Sequence, residues 1–265
     1  MPTSPTLAYS RYVALGDSST EGLEDPDGRG GYRGWANRLA EQVAAAQGSL
    51  LYANLAVRGR TAREIREQQL APALAMKPDL ATLFAGTNDA VRSGFDASAV
   101  RHDVETMQKA LVDQGATVLT FTLADPAPLL PRPMARRIAP RVVALNDALR
   151  EAAAASGAWL VDFALWPVAF DPRLWNEDRL HANADGHARI AAALAERLGL
   201  PGADATWREP LPPLPPPGFT ARLAADVAWV RRHFGPWVAR HLRGRSSGDG
   251  RSAKRPQLEP VELRR

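Results

Sequence analysis

Short apolar runs alternate with amphipathic segments along most of the chain. Five apolar runs bounded by turn residues are typical of buried strands: 12–15, 50–56, 79–85, 117–123 and 159–163. In five other segments the apolar residues recur at the spacing of a helix face: 32–47, 61–76, 96–114, 135–156 and 182–198. Because strands and helices alternate, the pattern predicts an α/β domain over residues 1–200, with a parallel sheet covered by helices on both faces.

The pattern changes after residue 200. Residues 201–218 contain a cluster of prolines, which predicts an extended linker of the polyproline II type. Residues 219–243 predict an amphipathic helical segment, whose apolar positions are Phe219, Leu223, Val227, Val230 and Phe234. Residues 244–265 are rich in Arg, Ser, Gly and Pro, a composition that predicts a basic, disordered tail.

The positive charge is concentrated in this C-terminal part. From Gly218 onward there are 11 Lys and Arg against 4 Asp and Glu, whereas the whole chain carries a net charge of only +4. An amphipathic helix with arginines suits weak contact with an anionic membrane surface or an acidic partner. The alternative is a helix that packs on the body or on a second subunit. Nothing predicts sequence-specific binding of nucleic acid, and the oligomeric state stays open.

Composition excludes several kinds of chemistry. The chain has no cysteine, which excludes disulfides, thiolate catalysis and zinc bound by cysteine. The N-terminal residues lack the basic region and apolar run of a signal peptide. No apolar stretch approaches the roughly 18 residues that a membrane span needs. We therefore expect a cytoplasmic protein.

Four groups of polar or small residues follow the predicted strands. Ser18 follows the first strand, Gly59 the second and Asn88 the third, while Asp178 and His181 lie just before the last helix. In an open parallel sheet, ligands bind beyond the carboxyl ends of the strands. The order of these residues along the chain therefore predicts that they meet at one edge of the sheet.

Together these residue types fit acyl transfer. A serine hydroxyl needs an adjacent base to act as a nucleophile, and histidine, with a pKa of about 6.5, suits that role. Asp178 lies three residues before His181, so one turn can bring its carboxylate onto the imidazole ring. The N–H groups of Ser18 and Gly59 and the side-chain amide of Asn88 would donate hydrogen bonds to the developing oxyanion.

Each group also has a structural interpretation when taken alone. Asp178 and His181 could form an ion pair at the start of a helix, Asn88 could serve a turn and Gly59 could be a loop glycine. Other motifs fit less well: no Gly-x-Ser-x-Gly elbow occurs, and the glycines of Gly28-Arg-Gly-Gly31 do not directly follow a strand, as a dinucleotide site requires. The four groups taken together favour the catalytic interpretation.

The motifs resemble those of the SGNH hydrolases, the GDSL-type esterase and lipase family. Gly16-Asp-Ser18 is similar to the first block of that family, Gly59 to the second, Gly86-Thr-Asn-Asp89 to the third and Asp178-x-x-His181 to the last. The resemblance covers about residues 11–199, with the blocks in the family order. It implies a flavodoxin-like three-layer α/β/α sandwich with a five-stranded parallel sheet, and neither a metal nor an organic cofactor.

By the same resemblance, Ser18 is the nucleophile, His181 the base and Asp178 the residue that orients the base. The chain departs from the family at Ser19-Thr20, where Leu-Ser is usual, and this leaves Ser19 as a rival nucleophile. The predicted function is hydrolysis of small-molecule carboxylic esters through an acyl-enzyme. Acyl transfer and thioester cleavage at the same site remain open, as does a catalytically silent module that binds anionic surfaces through its C-terminal segment.

Two segments are predicted to form the walls of the substrate pocket. They are the proline-rich loop 125–133 and the segment 163–175, which contains Trp166, Phe170 and Trp175. These three aromatic residues could line a pocket for an acyl or sugar group, or could belong to the core. The sequence does not distinguish between these alternatives.

Overall fold

A six-stranded sheet forms the centre of the molecule in a computed structural model, which describes residues 8–215, 218–236, 239 and 246–263. Its strands, in spatial order, are β5 (Trp159–Val161), β4 (Thr117–Phe121), β3 (Leu80–Phe84), β1 (Arg11–Gly16), β2 (Leu51–Asn54) and β6 (Arg255–Pro260). The strands β1 to β5 are parallel to one another. The order around β1, β2 and β3 is flavodoxin-like, and it places the topological switch point between β1 and β3.

Helices cover both faces of the sheet. They are α1 (Ser18–Glu21), α2 (Gly34–Gln47), α3 (Ala62–Ala75), α4 (Thr87–Val91), α5 (Ala97–Asp113), α6 (Arg132–Ser156), α7 (Ala184–Leu198) and α8 (Phe219–Trp229). Helix α2 packs on α7, while α5 packs on both α3 and α6. The predicted three-layer α/β/α sandwich is therefore confirmed. The one-turn helices α1 and α4 were not predicted, and they carry Ser18 and Asn88.

The interior of the sheet is almost entirely apolar. All residues of β3, and all of β1 except Arg11, are buried, because both strands lie between two neighbours and under helices on either face. This agrees with the near-continuous apolar runs that parallel strands show when both of their faces are covered. The rigid centre of the sheet thus fixes the two strand ends from which the candidate site is built.

The sixth strand corrects two predictions, the five-stranded sheet and the disordered tail over residues 244–265. Strand β6 pairs antiparallel with β2, with Tyr52 opposite Glu259, and Leu258 packs against the core. The Lys254 ammonium lies buried beside it and donates to the backbone carbonyls of Glu21, Tyr32 and Arg33. Composition did not predict this because a polar segment can form a strand when a free sheet edge supplies its hydrogen bonds.

The predicted linker 201–218 also packs on the body over part of its length. Residues Ala205–Arg208 form a short 3-10 helix, and the buried Trp207 contacts Phe163 and Trp166 edge-on. This part is therefore not extended, because the indole of Trp207 is buried against the core. In the predicted helical segment 219–243, α8 continues as a π-helical turn, Val230–Phe234. Residues 237, 238 and 240–243 of that segment, and residues 244, 245, 264 and 265 of the predicted tail, lie outside the described residues.

Candidate active site

A tight turn after β1 presents the serine. At Gly16 an added Cβ would lie 2.2 Å from Thr20 Oγ1 and 2.7 Å from the Phe84 carbonyl oxygen, so no larger residue fits. Asp17 then caps α1, since its carboxylate accepts a hydrogen bond of 3.1 Å from the Ser19 N–H. Ser18 is the first residue of α1 and lies directly beyond the carboxyl end of the strand.

The structure brings Ser18, His181 and Asp178 into one hydrogen-bonded chain. The His181 Nε2 atom lies 2.8 Å from Ser18 Oγ, and its Nδ1 atom lies 2.5 Å from Asp178 Oδ2. With the ring proton on Nδ1, facing the carboxylate, Nε2 is free to accept the serine proton. The spacing that suggested this contact thus corresponds to a single turn, in which the Asp178 carboxylate also accepts the N–H groups of Leu180 and His181.

These contacts keep Asp178 ionised. Burial raises the pKa of the Asp178 carboxyl, but the hydrogen bonds from the His181 ring and from two backbone N–H groups outweigh it and lower the pKa below its ordinary value. An ionised carboxylate at this position holds the imidazole in one tautomer. It also stabilises the imidazolium that forms when the ring accepts a proton.

The loop that carries Asp178 is fixed from outside by α8. Arg179 has a left-handed backbone, with φ of 58°, and its guanidinium donates to the Leu129 carbonyl at 3.0 Å and to Asp226 at 2.6 Å. The same guanidinium stacks on the indole of Trp229, 5.2 Å from its centre. Trp229 in turn donates from Nε1 to the Asp178 carbonyl at 2.8 Å. The C-terminal helix thus supports the backbone of the candidate active site.

Asn88 lies at the same cavity as Ser18, but both hydrogens of its amide are engaged. Its Nδ2 atom donates to Asp17 Oδ2 at 2.9 Å and to the Arg60 carbonyl at 3.0 Å. Gly59 precedes Arg60 and has a left-handed φ of 78°. In the described part of the chain, the residues that line the cavity include Asn88 and not Gly59. Gly59 instead lies under the turn at Ser246, whose Oγ is 2.3 Å from the position of an added Cβ.

Asp17 is a part of the site whose role the sequence did not predict. It is almost fully buried, and burial raises the pKa of its carboxyl to about 6, against the opposing effects of the Ser19 N–H, the nearby His181 and the Asn88 amide. The residue stands inside the Gly-Asp-Ser motif, but only the coordinates reveal that its carboxylate faces Asn88. It therefore links the turn after β1 to the turn after β3.

The two adjacent serines have different partners. The hydroxyl of Ser18 contacts His181, whereas Ser19 Oγ accepts a hydrogen bond of 3.2 Å from Trp35 Nε1. Ser19 therefore points toward α2 and away from the imidazole. This geometry favours Ser18 over Ser19 as the nucleophile.

The cavity beside Ser18 is lined mainly by apolar side chains. They are Phe84, Val91, Phe121, Leu123, Ala124, Phe163, Val168, Ala169, Leu174, Trp175, Leu180, Ala182, Ile190 and Trp207. The predicted wall 163–175 contributes to this lining, but in the described residues no member of the loop 125–133 does. Trp175 lies at the cavity, whereas Trp166 packs on Trp207 and Phe170 is not part of the wall.

A second histidine, His187, is buried near the site in the first turns of α7. Its Nδ1 accepts the Trp35 N–H at 3.1 Å, and its Nε2 donates to the Leu23 carbonyl at 2.9 Å. Burial lowers the pKa of His187 to about 4, so the ring stays neutral. No motif or spacing in the sequence predicted these contacts of His187. Among the described residues, no group of three or more His, Asp or Glu side chains is arranged to hold a metal ion.

Comparisons with known proteins agree with this geometry. The sequence profile of the GDSL-like lipase/acylhydrolase family matches residues 14–189, a span that includes Ser18, Gly59, Asn88, Asp178 and His181. No curated protein matches the sequence. In the described part of the chain, no helix combines the length and apolar character needed to cross a bilayer.

Several solved structures share the fold. A lipase/acylhydrolase from Enterococcus faecalis is 23% identical, with a TM-score of 0.58, and the match covers 74% of this chain and 99% of that one. The esterase EstA from Pseudoalteromonas sp. is 17% identical, with a TM-score of 0.57 and coverage of 72% and 97%. A mutant of Axe2, an acetylxylan esterase from Geobacillus stearothermophilus, is 16% identical, with a TM-score of 0.59 and coverage of 74% and 97%. At such identities the likeness establishes a common fold.

Proposed function

The chain belongs to the GDSL-like lipase/acylhydrolase family and is an ester hydrolase, and we propose that it cleaves carboxylic esters with apolar acyl groups through an acyl-enzyme on Ser18. The observation that carries this proposal is the chain of hydrogen bonds from Ser18 through His181 to Asp178. It supplies a nucleophile, a base and a carboxylate within direct reach of one another. This arrangement is what acyl transfer to a serine requires.

The proposed reaction has two steps. Ser18 Oγ attacks the ester carbonyl while its proton moves to His181 Nε2, and the tetrahedral intermediate then expels the alcohol, which takes the proton from His181. A water molecule next loses a proton to His181 and attacks the acyl-enzyme. The acid is released, and the proton returns to Ser18. Asp178 remains ionised throughout and stabilises the imidazolium in both steps.

The oxyanion would be bound by the Ser18 N–H and by the Asn88 amide. The third predicted donor is the Gly59 N–H, although Gly59 is not among the described residues that line the cavity. Asn88 supports this role through its place on the cavity wall. Both of its hydrogens have partners, Asp17 and Arg60, so one of these two hydrogen bonds would be exchanged for a hydrogen bond to the oxyanion as negative charge develops. Protonation of Asp17, whose pKa is raised to about 6 by burial, would weaken the competing acceptor.

The apolar lining of the cavity supports a substrate whose acyl group is apolar. Aromatic and aliphatic side chains surround the approach to Ser18, and among the described residues the one Lys or Arg in the wall is Arg189. That guanidinium is already bonded to the carbonyls of Trp207 and Glu209. A hydrocarbon chain gains free energy on entering such a pocket, whereas a sugar would leave hydroxyls without partners.

Ser18→Ala, with Ser19→Ala as the matched control, tests the proposal. On p-nitrophenyl esters we expect Ser18→Ala to lose on the order of 10⁶-fold in turnover, and Ser19→Ala to keep its activity. A fluorophosphonate probe should label Ser18 in the wild type and in Ser19→Ala. Full turnover by Ser18→Ala, or labelling of Ser19, would refute the assignment of the nucleophile.

The acyl group is tested with the same assay. Across acetate, butyrate, hexanoate and octanoate esters, kcat/KM should rise beyond acetate, because each added methylene that enters the pocket contributes about 0.8 kcal/mol. A preference for acetate or for acetylated sugars would contradict the apolar acyl pocket while leaving the Ser18 mechanism intact. Analysis of products with and without an added alcohol separates hydrolysis from acyl transfer.

A further inference from the structure

Helix α8 leaves an apolar face in solvent. Phe219, Leu223, Val227 and Val230 are 82%, 54%, 52% and 40% exposed, far more than the side chains of the core. Their spacing of three or four residues places them along one side of the helix. We name these four residues the α8 face. Its opposite side anchors the helix to the body through the buried Trp229.

The α8 face is flanked by exposed positive charge. A groove between it and the start of α6 is lined by Pro131, Pro133 and three exposed arginines, Arg132, Arg222 and Arg231. The acidic residue of the groove is Asp226, which is paired with Arg179 at 2.6 Å. Among the described residues that line the groove, the arginines therefore carry the net charge, and an anionic partner would meet no carboxylate without a counterion.

The position of the face relative to the site is also informative. Trp229, at the end of α8, donates to the carbonyl of Asp178, and Arg179 joins that loop to Asp226 of the same helix. Whatever binds the α8 face therefore contacts the helix that holds the backbone next to the Ser18–His181 pair.

We propose that the α8 face binds the surface of an anionic lipid bilayer. A row of apolar side chains flanked by arginines matches the boundary between acyl chains and anionic headgroups, into which such helices insert with their axis in the plane of the surface. Each arginine near an anionic surface adds about 1 kcal/mol. The inference goes beyond ester hydrolysis, because binding of this kind needs no catalytic step.

Vesicle flotation tests the inference with the full-length Ser18→Ala protein, which cannot consume ester lipids through Ser18. Vesicles of phosphatidylglycerol should carry the protein upward, and vesicles of phosphatidylcholine should not. Leu223→Asp/Val227→Asp should lower the partition coefficient on the order of ten-fold or more, and Arg222→Glu/Arg231→Glu should lower it on the order of ten-fold. Val143→Asp, at a residue 59% exposed on α6 and outside the groove, is the matched control and should bind normally.

Several results would overturn the inference. They are absence of binding to phosphatidylglycerol, equal binding by the α8 variants and the control, and equal binding to both lipids. The alternative occupant of the α8 face is a second copy of the chain, and light scattering tests it. If the wild type is a dimer that does not bind vesicles, and Leu223→Asp/Val227→Asp converts it to a monomer, the face is assigned to a second copy. The same α8 variants are also made with Ser18 retained and are treated with the fluorophosphonate probe. Labelling of Ser18 reports on the catalytic proposal, and vesicle flotation reports on membrane binding, so failure of one proposal can be distinguished from failure of the other.

Discussion

Replacing His187 with glutamine should change how the stability of the protein depends on pH. The ring of His187 is neutral, because burial lowers its pKa from the ordinary 6.5 to about 4. Between these two pH values the unfolded chain binds a proton that the folded chain does not. This residue therefore makes the free energy of unfolding fall as pH is lowered from 6.5 to 4, by about 3 kcal/mol when the whole shift is realised.

Asp17 has the opposite effect in an overlapping range. Burial raises its pKa from 3.8 to about 6, so between these values the folded chain binds a proton that the unfolded chain does not. Its contribution to the free energy of unfolding rises as pH is lowered from 6 to 3.8, again by about 3 kcal/mol. In the wild type the two contributions largely offset each other, although the residues lie in different parts of the site.

The two single substitutions should therefore change the pH dependence of the free energy of unfolding in opposite directions. A glutamine at position 187 can still accept the Trp35 N–H and donate to the Leu23 carbonyl, the two contacts that His187 makes, but it cannot titrate. Relative to the wild type, His187→Gln should gain stability on acidification from pH 6.5 to 4, and Asp17→Asn should lose it. The double variant should run nearly parallel to the wild type.

Urea unfolding followed by tryptophan fluorescence, at half-unit steps from pH 4 to 7, measures these differences. Comparing each variant with the wild type cancels the contributions of the other carboxylates. The reasoning is refuted if the His187→Gln curve stays parallel to the wild-type curve. It is also refuted if both single variants shift in the same direction.

Three further substitutions test other contacts. Lys254→Met leaves three partly buried carbonyls without the Lys254 donor and should cost roughly 2–5 kcal/mol in urea unfolding; an unchanged midpoint would contradict this. Asn88→Ala should lower kcat by roughly 10² to 10³-fold with little change in KM, and a change confined to KM would argue against oxyanion binding. Gly248→Val places a Cβ 2.1 Å from the Arg58 carbonyl oxygen and should release the 246–250 turn to limited proteolysis; unchanged resistance would argue against close packing on Arg58.

The part of the fold that could be predicted is the part encoded locally. Buried parallel strands need continuous apolar runs, and their carboxyl ends meet at one edge. Ser18 and Asn88 could therefore be placed near each other from their positions after the first and third strands. Asp178 and His181 could be paired because three residues span about one turn.

The rest depended on contacts that a single sequence does not display. Strand β6 pairs with β2, which lies about 200 residues earlier in the sequence. The residues of β6 themselves do not alternate clearly between apolar and polar. The burial of Asp17 depends on how the turn after β1 meets Asn88. Trp207 lies in a segment whose prolines suggested an extended linker, and its indole packs on Phe163.

The pairing of β6 with β2 has a consequence for biosynthesis. Strand β2 is translated before the strand that covers its outer edge, because β6 follows it by about 200 residues along the chain. Until then the nascent sheet presents an open edge that can pair with strands of neighbouring chains. The register between Tyr52 and Glu259 and the contact of Lys254 with the Glu21 carbonyl of α1 can therefore form only after residues 254–260 have been translated.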